Sequence, residues 1–317
     1  MTYGITAVAA GFRELLARVE LNASRVNLAS QRYNAVKQRI QVALPGEEVL
    51  QIGSFQRKTK IRPLDDAGPL DIDLIVCFGN ADHFAGAGER GVTPAGALET
   101  VRRALVSDGT YELMDPDSDA PTVVLGYADG FKIELTPCFR DLTGQHPRQN
   151  GPACYIVGTS AGSWVPADYD YDAAFISGAN QHPAVSQALV PSIKMVKQFL
   201  RGHGIELKSF HAEIICALIV PGAVADWNQR CPKWGYQHVL AQFLSQAPTY
   251  LTGPVAIPSS YSPAVDSGLS TYGLQETGRY LARCGEAAWS ICKVGDGGEE
   301  RRALDAWRQF YGEPFPA

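Results

Sequence analysis

The chain has 317 residues, 45% of them hydrophobic and 19% charged, which is enough to bury the core of one large domain or two lobes. A formal net charge of −5 argues against a protein that coats long nucleic acid, because such proteins carry a basic face. The seven cysteines are odd in number and include no C-x-x-C pair, so they are expected as small buried hydrophobes in a reducing cytoplasm, not as a disulfide or zinc framework.

No basic segment precedes the early Ala7-Val8-Ala9-Ala10, so no secretory signal is expected. Residues 5–43 repeat apolar side chains at three- and four-residue steps, among them Phe12, Leu15, Val19, Val26, Tyr33, Val36 and Ile40. This predicts one long helix, ended by Pro45-Gly46 and able to pack along both halves of a two-lobed protein. Glu48 to Ile52 reads as a strand leading into Gly53-Ser54. Gly53 permits a tight turn there, and Ser54 with the backbone amides after it suits phosphate oxygens. Residues 56–69 are a polar loop carrying Arg57, Lys58, Lys60 and Arg62, either a triphosphate or partner contact or a merely solvated loop.

Leu70-Asp71-Ile72-Asp73-Leu74-Ile75-Val76-Cys77-Phe78 then reads as a buried strand. Side chains alternate along a strand, so Asp71 and Asp73 point the same way. Two carboxylates on one face of an apolar strand repel each other and resist desolvation, and a divalent cation removes both penalties. A polar loop follows from Gly79 to Gly91, then a helix from Thr93-Pro94 to about Val106. Residues 122–127 and 131–137 form a hairpin around Asp129-Gly130. Its second strand puts Phe131, Ile133 and Leu135 on one face and Lys132, Glu134 and Thr136 on the other. If this hairpin lies beside the Asp-x-Asp strand, Glu134 completes a cluster of three carboxylates.

Residues 140–183 lack periodicity and predict a long surface connection with short strands near Tyr155-Ile156-Val157. Within it Gly158-Thr159-Ser160-Ala161-Gly162 fits the nucleophile-elbow pattern, but Ser163-Trp164-Val165-Pro166 starts a helix poorly, so a small-residue turn is expected instead. From residue 185 the periodicity predicts helices over 185–203, 209–220, 236–245, 272–290 and 299–311. Lys194 and Lys197 share a face of the first, for phosphate capture or simply as a solvated stripe. Ser209 is a helix N-cap and a candidate phosphate contact; Phe210 after it is a candidate for stacking on a base, and His211 reads as structural. The apolar run Ile214 to Val220 stops at Pro221, too short to span a bilayer, so no membrane association is expected. The six His show no metal-ligand spacing, so zinc is not expected.

The fold class expected is α+β, with a mixed catalytic core over residues 1–180 and a helical lobe over 181–317. Asp71, Asp73 and Glu134 are the expected catalytic metal ligands, holding two Mg²⁺ (or Mn²⁺) with a triphosphate between them. Gly53-Ser54, Asp71-x-Asp73 and the carboxylate in Lys132-Ile133-Glu134-Leu135 together resemble the DNA polymerase β-like nucleotidyltransferase superfamily. The stretch from Leu189 to Lys197, with Leu207-Lys208-Ser209-Phe210-His211-Ala212-Glu213, is similar to the helical lobe of bacterial CD-NTases, relatives of cyclic GMP–AMP synthase. The resemblance implies a nucleotidyltransferase core and a helical lobe with the active site in the cleft between them, bridged by the N-terminal helix. It implies that NTPs, ATP among them, are joined with release of pyrophosphate and closed into a cyclic di- or trinucleotide for antiphage signalling in the cytoplasm. Ser54, Lys197 and Ser209 would then hold triphosphate and Phe210 would stack on a base. A regulatory protein encoded nearby is the implied partner. Glu134 departs from the Asp usual at the third position of the family. Two alternatives stay open: a nucleotidyltransferase acting on an RNA or protein acceptor, supported by the basic loop, and a nucleotide-binding protein without catalysis.

Overall fold

The computed structural model describes residues 6–63, 68–80, 93–119, 121–140, 155–185, 187–230, 234–253, 255, 258 and 270–316. The first correction to the sequence comes at once. The long N-terminal periodicity is two helices, α1 (Ala7–Val19) and α2 (Ala23–Ala43). The chain is extended at Glu20, and the Asn22 side chain caps α2 by accepting from the Arg25 N–H at 2.8 Å. An N-cap placed inside an otherwise helical pattern satisfies the orphan donors of a second helix, and apolar spacing alone does not reveal it.

The sheet follows from the strand pattern. β1 (Glu48–Gln51) pairs antiparallel with β2 (Leu70–Asn80). β2 pairs parallel with β5 (Phe131–Arg140), and β5 antiparallel with β4 (Thr122–Gly126), which pairs with the short β3 (Asp117–Asp119). Beyond the part of β5 held by β4, Cys138 to Arg140 pair with β6 (Tyr155–Gly158), and β6 pairs with β7 (Trp164–Ala167). Alternation sorts the two faces. Ile72, Leu74, Val76, Val123, Leu125, Ile133 and Leu135 are fully buried under Val36 and Ile40 of α2 and under Val101 and Leu105 of α4 (Pro94–Val106). Each such burial contributes about 1.5–3 kcal/mol. The opposite face carries a smaller cluster around Ile75, Cys77, Cys138 and Tyr155. Asp71, Asp73 and Glu134 lie on this second face, where the apolar cover stops short.

The region expected as a surface connection is instead built into the fold in its described part. Residues 155–167 add β6 and β7 to the sheet, and α5 (Tyr169–Gln181) follows. Asp168 caps α5, and Ala173 and Ile176 bury its inner face. The sequence Tyr-Asp-Tyr-Asp hides this helix, because its polar first turn serves as a cap. Residues 158–162 form the turn between β6 and β7, with Gly162 at φ +77°, so no nucleophile elbow exists there.

The remaining helices form a second core. They are α6 (Leu189–Gly202), α7 (Ser209–Arg230), α8 (Tyr236–Tyr250), α9 (Thr271–Asp296) and α10 (Glu300–Tyr311). Phe199, Ile215, Phe243, Leu281 and Trp307 meet there with Phe12 and Leu15 of α1. The N-terminal pair of helices therefore divides its loyalty: α1 packs with the helices and α2 with the sheet. α7 does not stop at Pro221 as expected but runs through it. At 22 residues it is long and apolar enough to cross a membrane by length and composition, yet more than half of its apolar stretch is buried inside the helical core.

Candidate active site

Gly53 opens a four-residue helical turn, α3 (Gly53–Gln56), directly after β1. It sits at φ +70°, in the left-handed region, and a Cβ there would overlap the Asp73 carboxylate. Glycine is therefore required twice, by the backbone and by the carboxylate packed against it. The Ser54 carbonyl accepts from the N–H groups of Thr59 and Lys60 at 2.9 and 3.2 Å, and the Ile52 N–H donates to the Asp73 carbonyl at 2.9 Å. The turn is thus tied to β2 on one side. On the other, Gln56 Nε2 donates to Asp170 Oδ1 at 3.0 Å, and Asp170 Oδ2 accepts from the Tyr155 hydroxyl at 2.5 Å.

The β2–β5 register sets Asp73 directly beside Glu134 and Asp71 beside Lys132. Burial, more than any other influence, raises the Asp73 pKa above its ordinary 3.8, and Asp71 adds to the rise while Lys60 opposes it. Burial likewise raises the Glu134 pKa, with Asp73 and then Asp71 adding repulsion. Lys60 supplies the local compensation. Its Nζ donates to the Asp71 carbonyl at 3.0 Å and lies 3.8 Å from Asp71 Oδ2.

Ser54, Asp71, Asp73, Lys197 and Ser209 line one cavity of about 510 Å³, with Lys60 and Arg201 on its wall. Five of the expected site residues are thus brought together from both parts of the chain. Gly53 stands behind Asp73, and Glu134 lies next to Asp73 without lining the cavity. Ser209 is the first residue of α7 itself, one position later than a cap.

Three expected roles are revised by the contacts. Lys197 is buried, and its Nζ contacts Glu213 Oε1 at 2.6 Å and the Thr59 carbonyl at 3.1 Å. Burial lowers the Lys197 pKa, and the Glu213 carboxylate works against that. Phe210 does not line the cavity; the Arg57 guanidinium lies 4.5 Å from its ring centre. Lys194 pairs with Glu20 at 2.6 Å and so pins the break between α1 and α2, away from phosphate capture.

The basic loop is only partly solvated, with Lys58 exposed. Arg57 and Thr59 are buried, and Arg57 donates to Glu213 from Nε at 2.7 Å and from Nη2 at 3.3 Å. Glu213 is fully buried and clasped by Arg57 and Lys197. Burial would raise its pKa, but the two cations outweigh burial and hold it below the usual range. Its position was marked in the sequence: a carboxylate amid Ala212, Ile214 and Ile215 needs buried partners. Arg201 was marked as well, one helical turn beyond Lys197.

Among the described residues no group of three His, Cys, Asp or Glu side chains is gathered closely enough to hold a metal ion. The chemistry of the set nevertheless fits a hard divalent cation. Three carboxylates share one sheet face at the rim of a cavity, and two of them have pKa values raised by burial and by each other.

Residues 7–153 match the model of the Second Messenger Oligonucleotide or Dinucleotide Synthetase (SMODS) domain. A probable cyclic nucleotide synthase of Bacillus cereus is 22% identical over 300 residues, covering 86% of this chain and 83% of that protein. The fold agrees with solved CD-NTases over nearly the whole length. CdnG of Bradyrhizobium diazoefficiens, solved with GTP, gives a TM-score of 0.67 at 14% identity over 96% of this chain and 99% of its own. The chain thus shares the fold of the CD-NTases, and its first half matches the SMODS model. DncV of Vibrio cholerae, a cyclic AMP-GMP synthase solved with a linear intermediate, gives 0.64 at 11% identity over 99% of this chain and 98% of its own. As in the resemblance read from the motifs, the chain combines a mixed sheet with a helical C-terminal part.

Proposed function

We propose that this chain is a CD-NTase, a metal-dependent nucleotidyltransferase that joins nucleoside triphosphates, releases pyrophosphate and closes the product into a cyclic di- or trinucleotide. The observation that carries this is Asp73 set between Asp71 and Glu134 at the rim of a cavity whose other lining includes Ser54, Lys60, Lys197 and Ser209. The SMODS match over residues 7–153 and the cyclic nucleotide synthases among the proteins it resembles support cyclisation.

Asp71, Asp73 and Glu134 would hold Mg²⁺, or Mn²⁺ in its place. When bound, the metal supplies Lewis-acid stabilisation of charge on the reacting phosphate and lowers the pKa of the attacking hydroxyl. The chain's own residues do the rest. Ser54 and Ser209 offer hydroxyls to phosphate oxygens from opposite walls. Lys60, on the cavity wall beside Asp71, would offer its ammonium to the triphosphate. Arg57 and Lys197 add positive potential from beneath while Glu213 fixes them in place. Leu200, Ile205 and Leu207 contribute apolar lining to the cavity. We place the reaction in the cytoplasm, in keeping with five described cysteines that are all free and buried, and in antiphage signalling beside a regulatory protein.

Incubation with Mg²⁺ and the four labelled NTPs is expected to give phosphatase-resistant products that vanish in Asp71→Ala/Asp73→Ala. Linear product alone from active, correctly stimulated protein counts against cyclisation. Label carried onto RNA or protein would favour a macromolecular acceptor. The basic loop gives that alternative little support, since Arg57 is buried and Lys60 faces Asp71. Nucleotide binding indifferent to metal and to Asp73 would favour a non-catalytic protein.

A further inference from the structure

The Gly-Ser turn depends on its surroundings for its shape. α3 is a single helical turn of four residues, and its N-cap, Ile52, makes no side-chain hydrogen bond to it. One isolated turn fixes many dihedrals for few hydrogen bonds, so it persists only where neighbours impose it. The backbone is left-handed at its first residue, Gly53 (φ +70°), and again at Lys58 (φ +62°), two residues past its end. A lysine adopts that conformation only where the surroundings over-determine it. Neighbouring groups supply the holds: the Ile52 N–H donates to the Asp73 carbonyl, Arg57 donates to Glu213, and Gln56 Nε2 donates to Asp170 Oδ1.

Asp170 is itself a prepared anchor. It lies in the first turn of α5, where the helix dipole favours a carboxylate. Its Oδ2 accepts from the hydroxyl of fully buried Tyr155 at 2.5 Å, a short bond that orients the carboxylate toward Gln56. Tyr155 is fixed in turn by its strand pairing with Arg140, whose guanidinium lies 5.2 Å from the tyrosine ring centre. α5 buries Ile176 in the helical core, so this hold joins the turn to the helices that carry Lys197 and Ser209. Gln56 and Asp170 do not line the cavity, whereas Ser54, two residues before Gln56, does. Resting on the proposed nucleotidyltransferase reading, we infer that Asp170 is a positioning residue for the triphosphate: through Gln56 it sets the place of Ser54 and the backbone around it, without touching nucleotide.

The test measures binding of inorganic tripolyphosphate and of a non-hydrolysable ATP analogue to the full chain by calorimetry in the presence of Mg²⁺, with KM and kcat from the labelled-product assay. The proteins compared are the wild type, Gln56→Ala, Asp170→Ala, Gln56→Ala/Asp170→Ala and Tyr155→Phe. Gln56→Ala and Asp170→Ala should each weaken both probes roughly 10-fold, the scale of one hydrogen bond to a charged group. KM should rise by a similar factor and kcat should change less. The double variant should bind no more weakly than Asp170→Ala, because the two residues act along one path. Tyr155→Phe keeps the ring and removes only the hydroxyl, so it should weaken both probes by a smaller factor. A melting temperature above that of the assay shows that each variant is folded. An Asp170 with a purely structural role would lower the melting temperature and leave both affinities and KM at wild-type values, which overturns the inference. So would losses that multiply in the double variant, since they would put Gln56 and Asp170 on separate paths. In both cases the nucleotidyltransferase reading stands, whereas a wild type that binds neither probe removes that reading together with the inference.

Discussion

Two clusters of charge meet at the same cavity and are balanced in opposite senses. Asp71, Asp73 and Glu134 set three carboxylates against two nearby ammonium groups, Lys60 and Lys132, and burial raises the pKa of two of the carboxylates. Arg57, Lys197 and Glu213 set two cations against one carboxylate, at distances of 2.6–2.7 Å and nearly sealed from solvent. The first cluster is a debt of negative charge that an incoming cation relieves. The second is self-contained and joins the turn after β1 to helices α6 and α7. Similar residue types thus serve chemistry when left uncompensated at a rim and cohesion when paired in the interior.

The sharpest way to break this comparison is to neutralise each cluster and read activity against stability. Asp73→Asn is expected to cut product formation by roughly 10³-fold, several kcal/mol of barrier, measured as labelled product per unit time. The same variant should fold at least as well as the wild type. Retained activity would remove Asp73 from the metal set. Glu213→Ala should behave in the opposite way. It strands two buried cations and should cost about 3–5 kcal/mol in denaturant unfolding. Arg57→Met/Lys197→Met/Glu213→Leu should recover much of that stability without recovering activity. If Glu213→Ala unfolds at the wild-type midpoint, the cluster holds nothing together.

Gly53→Ala tests the point where the turn touches the carboxylates. The positive φ and the overlap with Asp73 should cost about 1–2 kcal/mol, and activity should fall further than stability explains. The smallest effect is electrostatic. A carboxyl whose folded pKa is raised stabilises the fold when protonated and loses that contribution as pH rises through the folded pKa. Without metal, Asp73→Asn should therefore melt about 2–4 °C above the wild type at pH 7, roughly 1 kcal/mol, and the gap should shrink toward pH 4. Added Mg²⁺ should stabilise the wild type and leave Asp73→Asn unmoved. A gap that widens on acidification would reverse the sign assigned to Asp73.

The Gly-Ser turn, the Asp-x-Asp strand and the hairpin bearing Glu134 were legible because local rules place them: glycine at a turn, alternation on a strand, Asp-Gly at a hairpin tip. The parallel pairing of β2 with β5 then brought Glu134 to Asp73, which no local rule states. Helices α6 to α10 were legible by period, but α7 and α8 ran past their expected ends because Pro221 and Pro248 are accommodated inside them. α5 was hidden by its polar first turn, and the α1–α2 break by a cap within a continuing pattern. Lys197 and Phe210 were found as residues but not as contacts, because their partners Glu213 and Arg57 come from separate segments.

The break at residues 20–22 carries a mechanical consequence. α1 is rooted in one core and α2 in the other, and the connector between them is three residues long. Three extended residues reach at most about 10 Å, so this link acts as a short tether between two bodies. Val19 at its start accepts from the Arg62 N–H at 2.7 Å, and Glu20 is gripped by Lys194, which fastens the tether to the loop and helix that wall the cavity. Any motion between the two cores is therefore limited to the reach of that connector.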